Sequence, residues 1–309
     1  MAEPITKRPD VLVLGVGGTL GEAWMRGVLS GVESVTDVDF RRCEHFVGSS
    51  AGSIVAATLA AGRRPHAGDR AAREWGEAAP EPSETGGPSR AAAAAAARVG
   101  AAAVGPLAPL ALGGIAPAGR LLRAAALAAV PSGGTRLSRL ERHVQGLGAT
   151  FDGRLRIAAV DRRSGRRVVF GRASAPPATV AQAVLASCAV PGLFAPVRIG
   201  DREYVDGGVW SPTNLDAAPA GHGKHVLCLV PTAALHRAPS PVAALRAFTS
   251  TAVAAETLVL RSRGATVRTV LPDAASSEVM GRNLMDPRPM ERVLDAAFAQ
   301  GRALATASG

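Results

Sequence analysis

Residues 41–60 read RRCEHFVGSSAGSIVAATLA, and the fold turns on the pentapeptide Gly48-Ser49-Ser50-Ala51-Gly52 inside them. This is a G-x-S-x-G pattern, in which a short apolar strand enters a tight turn carrying a serine and leaves as a helix. The spacing has a steric reason. A serine on so sharp a turn sits in a strained backbone conformation, and glycine two residues to either side lets strand and helix pass without a Cβ clash. Ser50 then projects its hydroxyl above the sheet, beside a helix N-terminus whose unpaired amides favour developing negative charge. Because the chain holds 35 glycines, the pentapeptide decides nothing alone.

Upstream, residues 10–15, DVLVLG, read as a buried first strand, followed at once by the glycine loop Gly15-Val16-Gly17-Gly18-Thr19-Leu20-Gly21. The segment EAWMRGVLSGVESV then spaces Ala23, Trp24, Val28, Val32 and Val35 as a helix does. The loop has two readings. A dinucleotide fold uses such a loop for a pyrophosphate, but the G-x-G-x-x-G frame started at Gly15 puts Leu20 where the last glycine belongs. The second strand also runs into Ser50 rather than ending on a ribose-binding acid. In a hydrolase the same side-chain-free amides hold an oxyanion beside the nucleophile, and the balance favours that reading.

Downstream, the elbow helix continues as SIVAATLAAG, and a further helix with Trp75 is expected around residues 66–78. From about residue 79 to 134 the composition shifts to Ala, Gly and Pro with few charges. This stretch is expected to be a lid-like insertion, either poorly ordered or carrying Leu107, Leu110, Leu112, Ile115, Leu121 and Leu122 as apolar contacts over the site. Regular structure returns at Thr135, with RLSRLERHVQGLG as a helix ended by glycine. LRIAAV and RVVFG read as a hairpin through DRRSGR, TVAQAVLASCA as a helix, and VRIGDREYVDGG as a short strand pair delivering Asp206-Gly207-Gly208 from an apolar strand end. HVLCLVP, a long helix near 241–263, ATVRTVLP and a last helix from about Pro287 to Ala305 complete an alternating pattern. That alternation predicts an α/β domain around a mostly parallel sheet, with residues 1–309 as one unit.

The chain carries a formal charge of +10 and is 47% hydrophobic but 4% aromatic. The arginines are scattered, with no run of five like charges and no recognised nucleic-acid module, so nucleic acid is not expected as a partner. Peripheral contact with an anionic membrane surface is compatible with the charge. Cys43, Cys188 and Cys228 have no C-x-x-C spacing, which predicts reduced, buried thiols in a cytosolic protein and no metal site. No apolar stretch precedes Val11, so no signal peptide is expected. The uncharged run 99–119 is broken by three prolines and is a poor membrane span.

Four separated motifs agree on one family. The glycine loop at 15–21, GSSAG at 48–52, ASCAVPGLFAPV at 186–197 and YVDGGVWSPTN at 204–214 stand in the order and spacing of the patatin-like phospholipases, which the chain resembles. The resemblance covers most of the chain outside 79–134, and it makes the uncharged run 173–197 core and active-site wall. It implies a three-layer α/β/α sandwich and a serine lipid acyl hydrolase without a cofactor. Carried over by motif, Ser50 is the nucleophile and Asp206 the general base, with no histidine between them. The amides of Gly17, Gly18 and Thr19 supply the oxyanion hole, and Gly48, Gly52, Gly207, Gly208 and Pro191 support the motifs. The substrate that the resemblance implies is a lipid or other acyl ester. Two departures stand out: aligned on Gly21, Val16 replaces the first glycine of the family's loop and Leu20 its basic residue, so a cation that would strengthen the oxyanion field is missing.

Two alternatives stay open at this point. A Ser-Asp-His esterase keeps the same chain order, with His222 or His225 following Asp206. A lipid-binding protein that has lost catalysis would also explain the altered loop.

Overall fold

The computed structural model describes residues 3–65, 117–130, 136–233 and 241–306. The helix expected at 66–78 and most of the 79–134 stretch, including Leu107, Leu110, Leu112 and Ile115, lie outside the described residues.

The chain opens with β1 (Val11–Leu14), α1 (Gly18–Glu33), β2 (His45–Ser49) and α2 (Ala51–Ala60). After α3 (Pro117–Ala129) and α4 (Ser138–Leu147) come β3 (Leu155–Asp161) and β4 (Arg167–Phe170). The remainder is α5 (Val180–Cys188), β5 (Val197–Ile199), β6 (Arg202–Asp206), β7 (His225–Leu229), α6 (Pro241–Ser262), β8 (Thr266–Val270), α7 (Ala274–Met280) and α8 (Met290–Thr306). Among the described residues the strands form one sheet, in which β3-β2-β1-β7-β8 are parallel neighbours. β4 and β6 pair antiparallel with β3, and β5 with β6.

Both faces of the sheet are covered, which is why strands such as VLVL read as unbroken apolar runs. Leu12 and Leu14 face a large core built with α1, α2, α4, α5, α7 and α8. Val11 and Val13 point the other way, into a second core with Leu215, Val226, Cys228 and Leu260 of α6. The result is an α/β sandwich on a mostly parallel sheet, as expected. α1 and α8 cross at contact distance because neither has a side chain at the crossing: a Cβ on Gly31 would lie 2.2 Å from the Phe298 carbonyl oxygen, and one on Gly301 2.2 Å from that of Val28. Trp24 Nε1 donates to Gln300 Oε1 at 2.8 Å across the same interface.

α3 brings Leu127 onto Val160 and Val205, beside Trp210, while Leu121 on the same helix is exposed. α4 ends at Gly148 in the left-handed conformation, the glycine stop expected of that segment. α7 was not expected. Its seven residues show too little apolar periodicity, although Asp273, which accepts the Ser276 N–H as N-cap, is the sequence signal that would have found it. Cys43, Cys188 and Cys228 are buried free thiols. Among the described residues no helix is long and apolar enough to cross a membrane.

Candidate active site

β3 brings the two candidate catalytic residues together. One of its edges is occupied by β4 from Ile157 to Val160. The other edge is shared: β2 pairs along it as far as Ser49 opposite Ala158, and β6 takes over with Asp206 opposite Ala159. Since β2 runs parallel to β3 and β6 antiparallel, their C-terminal ends point at each other across one register step. β2 cannot continue, because Asp206 occupies the next position, and the chain turns away at Ser50 into α2.

That turn is tight. Ser50 has φ 51 and ψ −126, a strained conformation for a residue with a Cβ. The flanking glycines are required by space. A Cβ on Gly52 would stand 2.0 Å from the Leu14 carbonyl oxygen, and one on Gly48 2.5 Å from the Ser53 Cα. Ser187 of α5 completes the corner. Its Oγ accepts the Ser50 N–H at 2.9 Å and donates to the Ala158 carbonyl at 2.6 Å, standing in for the ladder bond lost where β2 leaves β3. The Asp206 N–H donates to the carbonyl of Ala189, two residues further on at the end of α5, at 3.0 Å. The segment around Pro191, itself half-buried, thus grips both strand ends from one side.

Asp206 is 5% exposed. Its Oδ1 accepts the Gly208 N–H at 2.7 Å, while Oδ2 has no hydrogen-bond partner. Burial pushes the carboxyl up from its ordinary 3.8 to about 6, opposed by the Gly208 N–H and by the nearby Ser50 hydroxyl. The Ser50 hydroxyl therefore influences the carboxylate without closing a hydrogen bond of good geometry to Oδ2, and an approach rather than a formed bond describes the pair. Catalytic hydrogen bonds commonly tighten only when substrate is bound. Gly207 is held against β3, where a Cβ would lie 2.4 Å from the Ala158 carbonyl oxygen.

The glycine loop closes the third side. Gly15 and Val16 donate to Leu229 O and Pro212 O, and Leu20 and Gly21 to Leu284 O and Gly17 O. Between them, the N–H groups of Gly17, Gly18 and Thr19 have no acceptor among the described residues, at the N-terminus of α1 where such groups are orphaned. Gly18 has φ 58 and a Cβ there would meet Met285 Sδ at 2.6 Å, so the position admits only glycine. A Cβ on Gly208 would lie 3.0 Å from Val16 Cγ1. The first departure in the loop is therefore an apolar contact against the turn after Asp206. The second, Leu20, is fully buried in the core rather than directed at the site.

His222 and His225 are exposed, and His225 opens β7 one residue before Val226, the partner of Val11. Both lie at the N-terminal end of the strands, whereas Ser50 and the glycine loop follow the C-terminal ends. A strand of five residues at about 3.3 Å each separates the two ends by roughly 15 Å. They do not reach the candidate nucleophile. Cys188 does lie nearby, with Sγ 3.8 Å from Ser53 Oγ, but burial and the Asp206 charge raise its thiol well above the ordinary value, leaving it an inert neighbour. Among the described residues no cluster of His, Cys, Asp or Glu could hold a metal ion.

A family model described as Patatin-like phospholipase matches residues 12–219. Among solved structures, the chain is similar to the type III effector protein ExoU, at 19% identity and a TM-score of 0.41, covering 96% of this chain and 53% of that one. It is also similar to VipD from Legionella pneumophila, at 14% identity and a TM-score of 0.44, covering 97% of this chain and 67% of that one. The chain thus spans about half the length of ExoU. No curated protein sequence matches it.

Proposed function

The chain belongs to the patatin-like phospholipase family, and we propose that it is a serine lipid acyl hydrolase, of phospholipase A or esterase type, working through a Ser50–Asp206 dyad. The observation that carries this reading is the head-to-head meeting of β2 and β6 on one edge of β3, which sets a strained serine against a buried carboxylate of raised proton affinity.

The reaction follows from the groups at hand. Asp206 accepts the Ser50 proton as Oγ attacks the ester carbonyl carbon. The oxygen that becomes negative is held by the amides of Gly17, Gly18 and Thr19 at the start of α1, where the helix dipole adds to the three N–H groups. Collapse breaks the bond to the leaving alcohol, which takes the proton from Asp206. Water then attacks the acyl-serine, losing its proton to Asp206, and as the bond to Oγ breaks and the fatty acid leaves, Asp206 returns that proton to Ser50 Oγ. A carboxylate is an adequate base here because burial lifts it to about 6, close enough to neutrality to hold the proton in transit yet ionised at pH 7. The catalytic power of the amides is asked to substitute for the cation that Leu20 replaces.

A panel of phospholipid, neutral-ester and thioester substrates, run on wild type, Ser50→Ala and Asp206→Asn, tests the reading. Hydrolysis is expected in wild type and lost in both variants; equal turnover by all three contradicts the assignment. The second reading, lipid binding without turnover, is favoured by one observation, that the glycine loop carries Leu20 where the family's pattern has a basic residue. Wild type that binds vesicles but forms no Ser50 adduct with a fluorophosphonate would select it.

A further inference from the structure

Apart from Ser50, Asn214 is the other non-glycine residue at positive φ among the described residues, also at 51. The conformation costs an L-residue about 1 kcal/mol and persists where neighbours enforce it. Here they do so on both sides. Ser211 Oγ accepts the N–H groups of Thr213 and Asn214 at 3.2 and 3.1 Å. Buried Glu256 of α6 accepts Thr213 Oγ1 at 2.7 Å and the Leu215 N–H at 2.8 Å, both on Oε2. The backbone on either side of Asn214 is anchored, and its carboxamide is fully buried.

The carboxamide is aimed at the junction of the two strands. Nδ2 donates to Ser49 Oγ at 2.9 Å, to the Gly207 carbonyl at 3.2 Å and to the Ser211 carbonyl at 2.9 Å. Ser49 immediately precedes the candidate nucleophile, and Gly207 immediately follows the candidate base. The other end of the amide is fixed as well: Oδ1 accepts Arg167 Nη1 at 3.2 Å, and that guanidinium is held by Asp216 through two contacts of 2.6 Å and lies over the Trp210 ring at 5.2 Å. Two strands that meet end to end have no ladder bonds with each other, and β3 is the one strand that pairs with both. A group bonded to both ends is what resists their sliding apart along the strand axis.

We propose that Asn214 is the positioning residue of the Ser50–Asp206 pair, setting the separation of nucleophile and base through Ser49 and Gly207. The proposal rests on the hydrolase reading above. It requires no contact with substrate and predicts an effect on rate rather than on the amount of competent enzyme.

The test is acylation of Ser50 by a fluorophosphonate, followed for both the rate constant and the final stoichiometry, in wild type, Asn214→Gly and Ser49→Ala. Glycine tolerates φ 51, so Asn214→Gly removes the clamp without straining the backbone. The expected result is a final stoichiometry near one label per chain, reached about 10- to 100-fold more slowly. A merely structural role would instead lower the stoichiometry and leave the rate constant of the labelled fraction unchanged; that result, or labelling at the wild-type rate, overturns the proposal. Ser49→Ala deletes one acceptor and leaves Asn214 in place. It is expected to slow labelling about fivefold, so a wild-type rate there overturns the proposal even if Asn214→Gly does not fold. Wild type that forms no Ser50 adduct would instead overturn the hydrolase reading itself.

Discussion

Asp206→Asn is expected to make the protein more stable, by an amount that grows from about pH 4 and is complete above about pH 6. The wild-type carboxyl is 5% exposed, has one oxygen without a hydrogen-bond partner, and is raised from 3.8 to about 6. An acid whose folded pKa lies above its unfolded one costs stability when ionised. Below pH 3.8 it is neutral in both states and contributes nothing. Between 3.8 and about 6 the unfolded chain loses its proton first, so stability falls as pH rises; above about 6 the full cost is present. At about 1.4 kcal/mol for each tenfold change in proton affinity, that cost is about 3 kcal/mol. Asparagine keeps an oxygen for the Gly208 N–H and carries no charge. Thermal unfolding of both proteins between pH 4 and 8 measures the difference. The variant's melting temperature is expected to exceed wild type's by roughly 5–10 °C at pH 8, at a few degrees per kcal/mol, and the gap to close toward pH 4. A variant less stable at pH 8, or a gap that does not change with pH, would refute the account of a desolvated carboxylate retained at a stability cost.

Two further outcomes follow from the geometry. Gly52→Ala places a methyl group 2.0 Å from the Leu14 carbonyl oxygen, with backbone on both sides and no flexible side chain to yield; chemical denaturation should show a loss of about 3 kcal/mol or more. Replacing His222 and His225 together by alanine should leave kcat/KM for an acyl ester within about twofold, because exposed side chains at the far end of the strands touch nothing at Ser50; a loss as large as that of Ser50→Ala would restore a histidine to the mechanism.

The features legible in the sequence are those written in local steric rules. Gly48 and Gly52 announce a strand and helix passing without room for a Cβ, and the structure has that crowding. The strand end that delivers Asp206 is readable for the same reason: an apolar run closed by Gly207 and Gly208. What could not be read is how β2 and β6 share an edge of β3, since strand order depends on pairings between segments far apart in the chain, β2 with β3 across more than a hundred residues. The same distance hides Ser187 and Asn214. Their bonds to Ser50 and Ser49 span 137 and 165 residues, and a serine inside an apolar helix or an asparagine after a proline carries no local mark of such a partner. The short helix α7 was missed on length, its capping aspartate notwithstanding. The burial of Leu20 shows the limit of reading a substitution by motif position alone: the side chain belongs to the core, so the loop's missing cation is a change in packing as well as in charge.

The most direct test of the dyad is the pH dependence of Ser50 acylation by a fluorophosphonate in wild type and Asp206→Asn, with the adduct located by mass spectrometry. In wild type the rate should rise about tenfold per pH step below a midpoint near 6 and level off above it, as Asp206 ionises. In Asp206→Asn the rate should be lower by about 10²–10⁴-fold and the midpoint absent. An adduct on another residue, or equal rates in the two proteins across the pH range, would contradict the assignment of Ser50 and Asp206.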